Sequence, residues 1–540
     1  MSSGIRATPG GEAVQAGEAV QAGEAVQAGE AAPAVKAGEA GGPRGGRGGE
    51  VSAKGLAAGR VGLPATITMG VGAAGPAYSL AASLGIMAAV VGLKAPAMLI
   101  ISFIPMLMVS TAFFSFARVD PDCGQAFSWA TRGLGPHMGW ILGYWGIAMV
   151  LVIGPSIANV VATYFYLLIG FESAAASTFW LTLGSVVLLV IVGALVAAGV
   201  ELSVRTQYVL MALQVGSLIV FAAVTLIRPY LSHPAGHVGL SLGMFLPTQM
   251  SWSEIADGML IGVFFYTGWD VATSLGEESK DSRRLPGKAA VLSTVVLVLI
   301  FTLSAAGAQS YHGSQFLVDN TGDVLSAVAG DALGSPWDKI VQLAVFTATT
   351  AAALGMIVFA SRWTLSMASH RAFPAIFGRV AARYRTPFWA IVILVAVAVV
   401  IRIVMALVND DLVYDLVPSI ALLSTIEYAF AGFACVVYFR KWLGRSLRNF
   451  LLMGLLPALG GAVLMFVYIR SAIDYRDPAN SYSGGWLGVG ATFWLGVGAT
   501  ALGAVLMLVA WALKPDFFRR KPESWPGEGQ PIPYQDETVV

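Results

Sequence analysis

Charge is scarce in this chain. Asp, Glu, Lys and Arg together make up 12% of its 540 residues, about half the roughly 25% usual in soluble domains. Cysteine is scarcer still. Cys123 and Cys435 are the only two, which excludes a disulfide framework. The five histidines, at 137, 233, 237, 312 and 370, share no metal-ligand spacing within a helix, so no metal site is expected. A net charge of +1 offers no basic excess for binding nucleic acid. Nucleophile elbows, metal motifs and phosphate-binding glycine loops are missing too, so the sequence suggests neither an enzyme nor a cofactor.

What the chain has is apolar length. Hydrophobic residues account for 56% of it and the mean hydropathy is +0.73, values of an integral membrane protein. A spanning helix needs about 20 mainly apolar residues, and about twelve stretches qualify. They run over 66–92, 96–117, 137–169, 177–199, 204–227, 253–276, 288–310, 338–361, 387–408, 415–439, 449–470 and 488–513. The expected fold is all-α. With the N terminus inside, roughly 22 of the Lys and Arg beyond residue 50 fall on cytoplasmic segments and about 6 on external ones. Both termini are therefore expected in the cytoplasm of a multi-pass cell-membrane protein.

Residues 1–60 differ in composition, with GEAVQA repeats and then the Gly-rich GGPRGGRGGE. Alanine and glycine bury too little for a core, so this reads as a disordered cytoplasmic tail. The transporter-sized body spans 61–513, and 514–540 is a second cytoplasmic tail beginning with a basic cluster at Arg519–Lys521 suited to anionic lipid. Loops 228–252 and 311–337 are the long external ones, with Ser232–Gly236 and Asp319–Asp323 as candidate partial lids.

Two segments carry helix breakers at a telling interval. Segment one contains Gly70, Gly72, Gly75 and Pro76, and proline both lacks an amide donor and clashes with the preceding turn. Backbone groups freed at membrane depth are tolerated only where protein or a polar cavity satisfies them. Segment six breaks at Thr267 and Gly268, followed by Asp270. An acid on an apolar span marks a ligand, proton or ion pathway by default. Segments one and six are five apart, as in carriers built from two inverted five-helix repeats whose first helices are discontinuous and enclose a midplane site.

Three motifs carry a resemblance. FFYTGWDVATSLGEESKDSRRLPGKA at Phe264–Ala289, SRWTLSMASHRAFPAIFGRVAARYRTP at Ser361–Pro387 and VDPDCGQAFSWATRGLGPHMGWILGYW at Val119–Trp145 together resemble the amino acid-polyamine-organocation (APC) superfamily of permeases. The likeness covers about 60–512. It implies a 5+5 inverted repeat, discontinuous helices one and six, and two further helices. It also implies a secondary active transporter moving an amino acid or related amine by alternating access, by exchange or with ion coupling, the proton being favoured over sodium. A membrane sensor that binds without net transport, or an enzyme using Asp270 and Glu427, are the alternatives.

The resemblance further places the substrate carboxylate at Gly72, Ala73, Ala74, Gly75 and Ala77, although Pro76 and the alanines depart from the usual Gly-Ser-Gly break. It puts Phe264 over the substrate, with Thr267 and Gly268 supplying polar contacts. Asp270 and Glu427, the second isolated acid, are candidates for charge sensing. Some proton-coupled members carry a lysine near Gln214, where sodium sits in others. Thr347, Thr349 and Thr350 are candidate sodium ligands, though such hydroxyls more often bond their own helix. Glu277, Glu278, Lys280, Arg283 and Arg284 are expected at the cytoplasmic gate, and Ser156 and Asn159 near the pocket.

Overall fold

The computed structural model describes residues 51–522 apart from 235 and 409–411; the GEAVQA repeats and the last eighteen residues lie outside them. Described strand is limited to the short hairpin Gly485–Trp486 with Val489–Gly490 and two isolated bridges. Ten helical stretches are long and apolar enough to cross a membrane. One of them, Leu63–Val119, holds two passes, and the interrupted segment six escapes that length test, which gives twelve.

In order, the segments are Leu63–Ala74 with Pro76–Val91, Ala95–Val119, Pro136–Leu168, Thr178–Ala197, Val200–Ile227, and Trp252–Tyr266 with Val271–Ser274. Then come Leu285–Asp319, Lys339–Ser369, Phe388–Val408, Leu412–Tyr438, Leu447–Asp474 and Ala491–Leu513. Proline in the first turn starts several of them, as at Pro64, Pro76, Pro96 and Pro136, where its missing amide costs nothing. Segment six opens with a capping box: Ser251 Oγ accepts from the Glu254 amide while Glu254 Oε2 accepts from the Ser251 amide.

Segments three, eight and ten are mostly buried, whereas four, five, nine and twelve present apolar side chains such as Ile191, Ile219, Val400 and Val509 outward. Segments one and six sit among the buried ones and touch segments eight and ten respectively. Three departures from the sequence reading matter. Segment eight continues to Ser369 because Arg362, the residue that suggests an exit, is wholly buried and paired. The loop after segment seven contains a helix, Val324–Leu333, capped by Asp323. Residues 51–60, assigned to the disordered tail, form an ordered strip with Val61: Val61 bridges Ser279 in parallel, and the Arg60 and Val61 amides donate to Glu278 O at 2.9 and 3.0 Å.

Candidate functional site

The first break is a single residue. The helix runs through Gly70, Gly72, Ala73 and Ala74, and only Gly75 leaves it, at φ 56°, ψ 65°. Its amide donates to Gly72 O at 3.1 Å, and the Ser79 hydroxyl donates to the Ala74 carbonyl at 2.8 Å. Pro76 begins the second half, with Ala77 in its first turn. The break is narrower than four closely spaced breakers suggest, because small residues at 70, 72, 73 and 74 serve close approach instead. A Cβ at Gly72 would meet the Gln207 side-chain nitrogen at 1.9 Å, and one at Gly355 would meet Ala73 Cβ at 2.5 Å.

The second break spans more chain. Helix Trp252–Tyr266 ends at Thr267, Gly268 takes φ +110°, and the helix resumes at Val271. Thr267 Oγ1 donates to Val263 O at 3.1 Å and to Ser424 Oγ of segment ten at 3.2 Å. The Tyr428 hydroxyl completes the polar balance, accepting from the Gly268 amide at 3.5 Å and donating to Asp270 Oδ1 at 2.8 Å. Gly268 lies directly against the first break: a Cβ there would fall 2.8–2.9 Å from Ala73 C and O and Ala74 N. Only glycine suits both the positive φ and this approach.

Above the breaks lies open space. A cavity of about 660 Å³ is lined by segments one, six, ten and eleven, and its floor includes Phe264. A second, of about 370 Å³, shares Ile86, Thr321, Val417 and Tyr482 with it and is lined by Ser156 and Asn159. Thr321–Asp323, from one predicted lid, do border it; the other, Ser232–Gly236, borders neither cavity among its described residues. Of the eight residues expected to bind substrate, Phe264 alone faces this space. Its ring meets Tyr78 edge-on at 6.0 Å, and Gly72, Ala73, Ala74, Gly75, Ala77, Thr267 and Gly268 are buried beneath.

Both isolated acids are enclosed. Asp270 is 1% exposed, and among the described residues its Oδ2 has no hydrogen-bond partner. Glu427 is wholly buried with neither oxygen partnered on the same basis. Tyr428, adjacent in sequence to Glu427, links Asp270 of the break to segment ten, a role that sequence reading missed because tyrosine is an ordinary membrane aromatic.

Segment five reaches the first break through Gln207, whose Nε2 donates to Ala351 O of segment eight at 3.3 Å. Gln214, seven residues on, instead donates to Met211 Sδ at 3.4 Å. Thr347, Thr349 and Thr350 spend their hydroxyls on the carbonyls of Leu343, Val345 and Phe346 in their own helix.

The end of the bundle bearing the 51–61 strip is shut. Arg362 Nε and a terminal nitrogen donate to the two Glu278 oxygens at 2.5 and 3.0 Å, both side chains having no exposure. Beside them Lys54 Nζ pairs with Glu277 at 2.7 Å and Asp122 at 2.8 Å. Burial disfavours the Lys54 ammonium, but Cys123, Asp122 and Glu277 outweigh it and push its pKa above the ordinary lysine range. Burial also opposes the Asp122 charge, yet Lys54 and His370 hold that carboxyl well below the usual range. Among the described residues Asp122, Cys123 and Glu277 are the one grouping with metal-ligand proximity, and the Lys54 ammonium already serves it. Lys280, Arg283 and Arg284 are exposed instead, with Arg284 3.9 Å from Asp281. Glu201, at the start of segment five, pairs with Arg60 at 3.1 Å.

A twelve-segment bundle with two helices broken at mutual contact, a polar cavity above and a sealed floor below is the architecture of a membrane carrier. The amino acid permease family model matches residues 66–469, and the chain belongs to that family. It is 24% identical to the low-affinity putrescine importer PlaP of Escherichia coli K12 over 68% of this chain and 79% of the relative. A vacuolar cationic amino acid transporter of Arabidopsis thaliana is 26% identical over 49% of this chain and 45% of its own length. A putative arginine/ornithine antiporter of E. coli K12 is 25% identical over 51% and 59%.

Proposed function

We propose that the chain is a secondary active transporter that carries an amino acid or related amine across the cell membrane by alternating access. The observation that carries this reading is the asymmetry of the bundle: a cavity of about 660 Å³ on one side of the two breaks and buried ion pairs closing the other. The basic bias of the sequence puts both termini and the sealed end in the cytoplasm, so the cavity faces outward. Substrate enters above Phe264, displaces that ring, and reaches the half-helix ends, where open amides suit a carboxylate and freed carbonyls an ammonium. The named substrates of the relatives, putrescine and basic amino acids, support an amine as the cargo.

Asp270 and Glu427 are the coupling groups in this reading. A buried carboxylate without a counter-ion is costly, and a proton removes that cost at either side chain. An enzyme using the two acids as a pair would need both on one open cavity. Among the described residues neither lines one.

The test is uptake of a labelled amino acid and amine panel into proteoliposomes under imposed proton or sodium gradients. A proton gradient is expected to drive accumulation, with Asp270→Asn or Glu427→Gln abolishing the pH dependence while sparing exchange. Wild-type coupling in both variants overturns the assignment of the acids. Tight binding with no uptake of any kind overturns transport itself in favour of a sensor.

A further inference from the structure

The strip ahead of segment one holds the bundle shut from outside the repeats. Four pieces of chain meet at its lysine: the strip, the 120–125 loop, the segment-six exit and the end of segment eight. Asp122 and Glu277 offer carboxylate oxygens that lie, with Cys123 Sγ, within 4.8 Å of one another. Two carboxylates that close repel unless a cation stands between them, and Lys54 Nζ does so at 2.8 and 2.7 Å, 3.6 Å from the sulfur. Ser366 Oγ adds a hydrogen bond to Asp122 Oδ1 at 2.6 Å, and His370 Nε2 lies 3.8 Å from Oδ2.

The strip is also aligned by backbone and packing. Val61 O accepts from the Lys280 amide at 2.9 Å, next to the Val61–Ser279 bridge. Leu56, wholly buried, lies with Cys123 and Leu365 in a small cluster of its own. Three of the four pieces belong to the helical body. Among the described residues Lys54, from the strip, is the one lysine that pairs with Asp122 and Glu277.

We propose that residues 51–61 are a bolt on the cytoplasmic mouth and that Lys54 is a positioning residue for transport. It is the counter-ion that lets the loop after segment two and the exit of segment six close together, and it must withdraw before substrate can leave. The inference rests on the transporter reading, but its test does not require transport. Cys123 is enclosed by the bolt, and Cys435 is the one other thiol in the chain. In a Cys435→Ala background, the rate of Cys123 alkylation by N-ethylmaleimide reports how often the mouth parts.

Lys54→Gln is expected to raise that rate about tenfold, the shift in equilibrium that a lost partner for enclosed charges brings. Loss of the ammonium by itself would slow alkylation, since a nearby cation favours the reactive thiolate; a rise therefore reports opening. Lys54→Arg keeps the charge and stays near the parent rate. Neutralising everything, as Lys54→Gln with Asp122→Asn and Glu277→Gln, removes the repulsion and returns the rate toward the parent. An unchanged or slower rate in Lys54→Gln overturns the bolt, and so does a triple variant as fast as the single one. Where Lys54→Gln fails to fold, the triple variant is judged against the parent, and a rate about tenfold or more above it overturns the bolt. A chain that carries no substrate yet shows these alkylation rates overturns the transporter reading and leaves the ion-pair bolt standing.

Discussion

Removing the guanidinium at position 362 strands a wholly buried carboxylate at the closed end of the bundle. Arg362 and Glu278 have no solvent exposure, and two parallel hydrogen bonds at 2.5 and 3.0 Å join them, the strong bidentate form of the contact. Breaking such a pair from one side costs about 3–5 kcal/mol, because the remaining charge stays buried and uncompensated. Arg362 also donates to Val358 O at 3.3 Å within its own helix, so its loss belongs in the upper part of that range. Glu278 is anchored differently, through backbone bonds from Arg60 and Val61 to its carbonyl that a side-chain change leaves in place. Arg362→Gln, Glu278→Gln and the double variant therefore form a clean cycle.

The assay is the rate at which the monodisperse protein is lost on heating in detergent, since unfolding of a membrane protein is followed as a rate. Each single variant is expected to fall by about 3–5 kcal/mol and the double by about 2–4 kcal/mol less than their sum, because two neutral amides need no counter-ion. Single effects that add to within about 0.5 kcal/mol would mean no energetic coupling. That result would refute the buried pair as a unit of the closure.

Gly268→Ala combines a backbone angle of +110° with a Cβ 2.8–2.9 Å from the Ala73–Ala74 backbone. The angle alone costs about 1–2 kcal/mol and the contact about 1–3 more, so initial uptake per inserted molecule is expected to fall at least about tenfold. Asp122→Asn should be less stable than wild type at neutral pH. The folded carboxyl is held below its unfolded value, so the stability it contributes is present above about pH 4 and lost as pH falls through the lower folded value. Melting in detergent from pH 7 downward should show the two curves converging only below about pH 4. Asp120, which burial pushes up to about 6 against the pull of Arg132, acts with the opposite sign, and less so in the variant because the Asp122 charge contributes to its rise. Asp415→Asn weakens acceptance from the Tyr482 and Ser483 amides at 2.8 and 2.9 Å and from the Thr492 hydroxyl at 2.8 Å. Amide exchange at 482–483, beside the cavity, should quicken by about tenfold while exchange in segment ten holds.

The helices were legible because the bilayer imposes their length and composition: each expected span overlaps an observed one, and the acids that looked misplaced at Asp270 and Glu427 are indeed enclosed. Reading failed where a polar group finds its partner far along the chain. Arg362 looked like the end of a helix because no local signal tells that Glu278, 84 residues earlier, neutralises it. Lys54 sat in what looked like tail for the same reason. The glycine cluster of segment one misled in the opposite direction, since glycine serves both backbone freedom and close approach, and only at Gly75 does the conformation use the freedom. Gln214 and Gln207 lie on one helix seven residues apart, and composition cannot say which of two turns faces the first break.

The break and the closure are joined by a very short piece of helix. From Gly268, which touches Ala73 and Ala74, to Glu277 and Glu278, which hold the ion pairs of the closed end, there are about ten residues, on the order of 15 Å of helix. The same piece is held midway, where the Gln125 amide nitrogen donates to Asp270 O at 3.2 Å and Thr273 Oγ1 donates to the same carbonyl at 2.8 Å. Packed interfaces of this kind switch between discrete arrangements and do not bend by degrees. In the transporter reading proposed above, a substrate group entering between Gly268 and Ala73 would separate two backbones already in contact, and the short helix would carry that displacement to Glu277. On that reading the ligand would bias the closure by the difference in its fit to the joined and parted breaks, and a proton on Asp270, which Tyr428 ties to segment ten, would add to or oppose that bias.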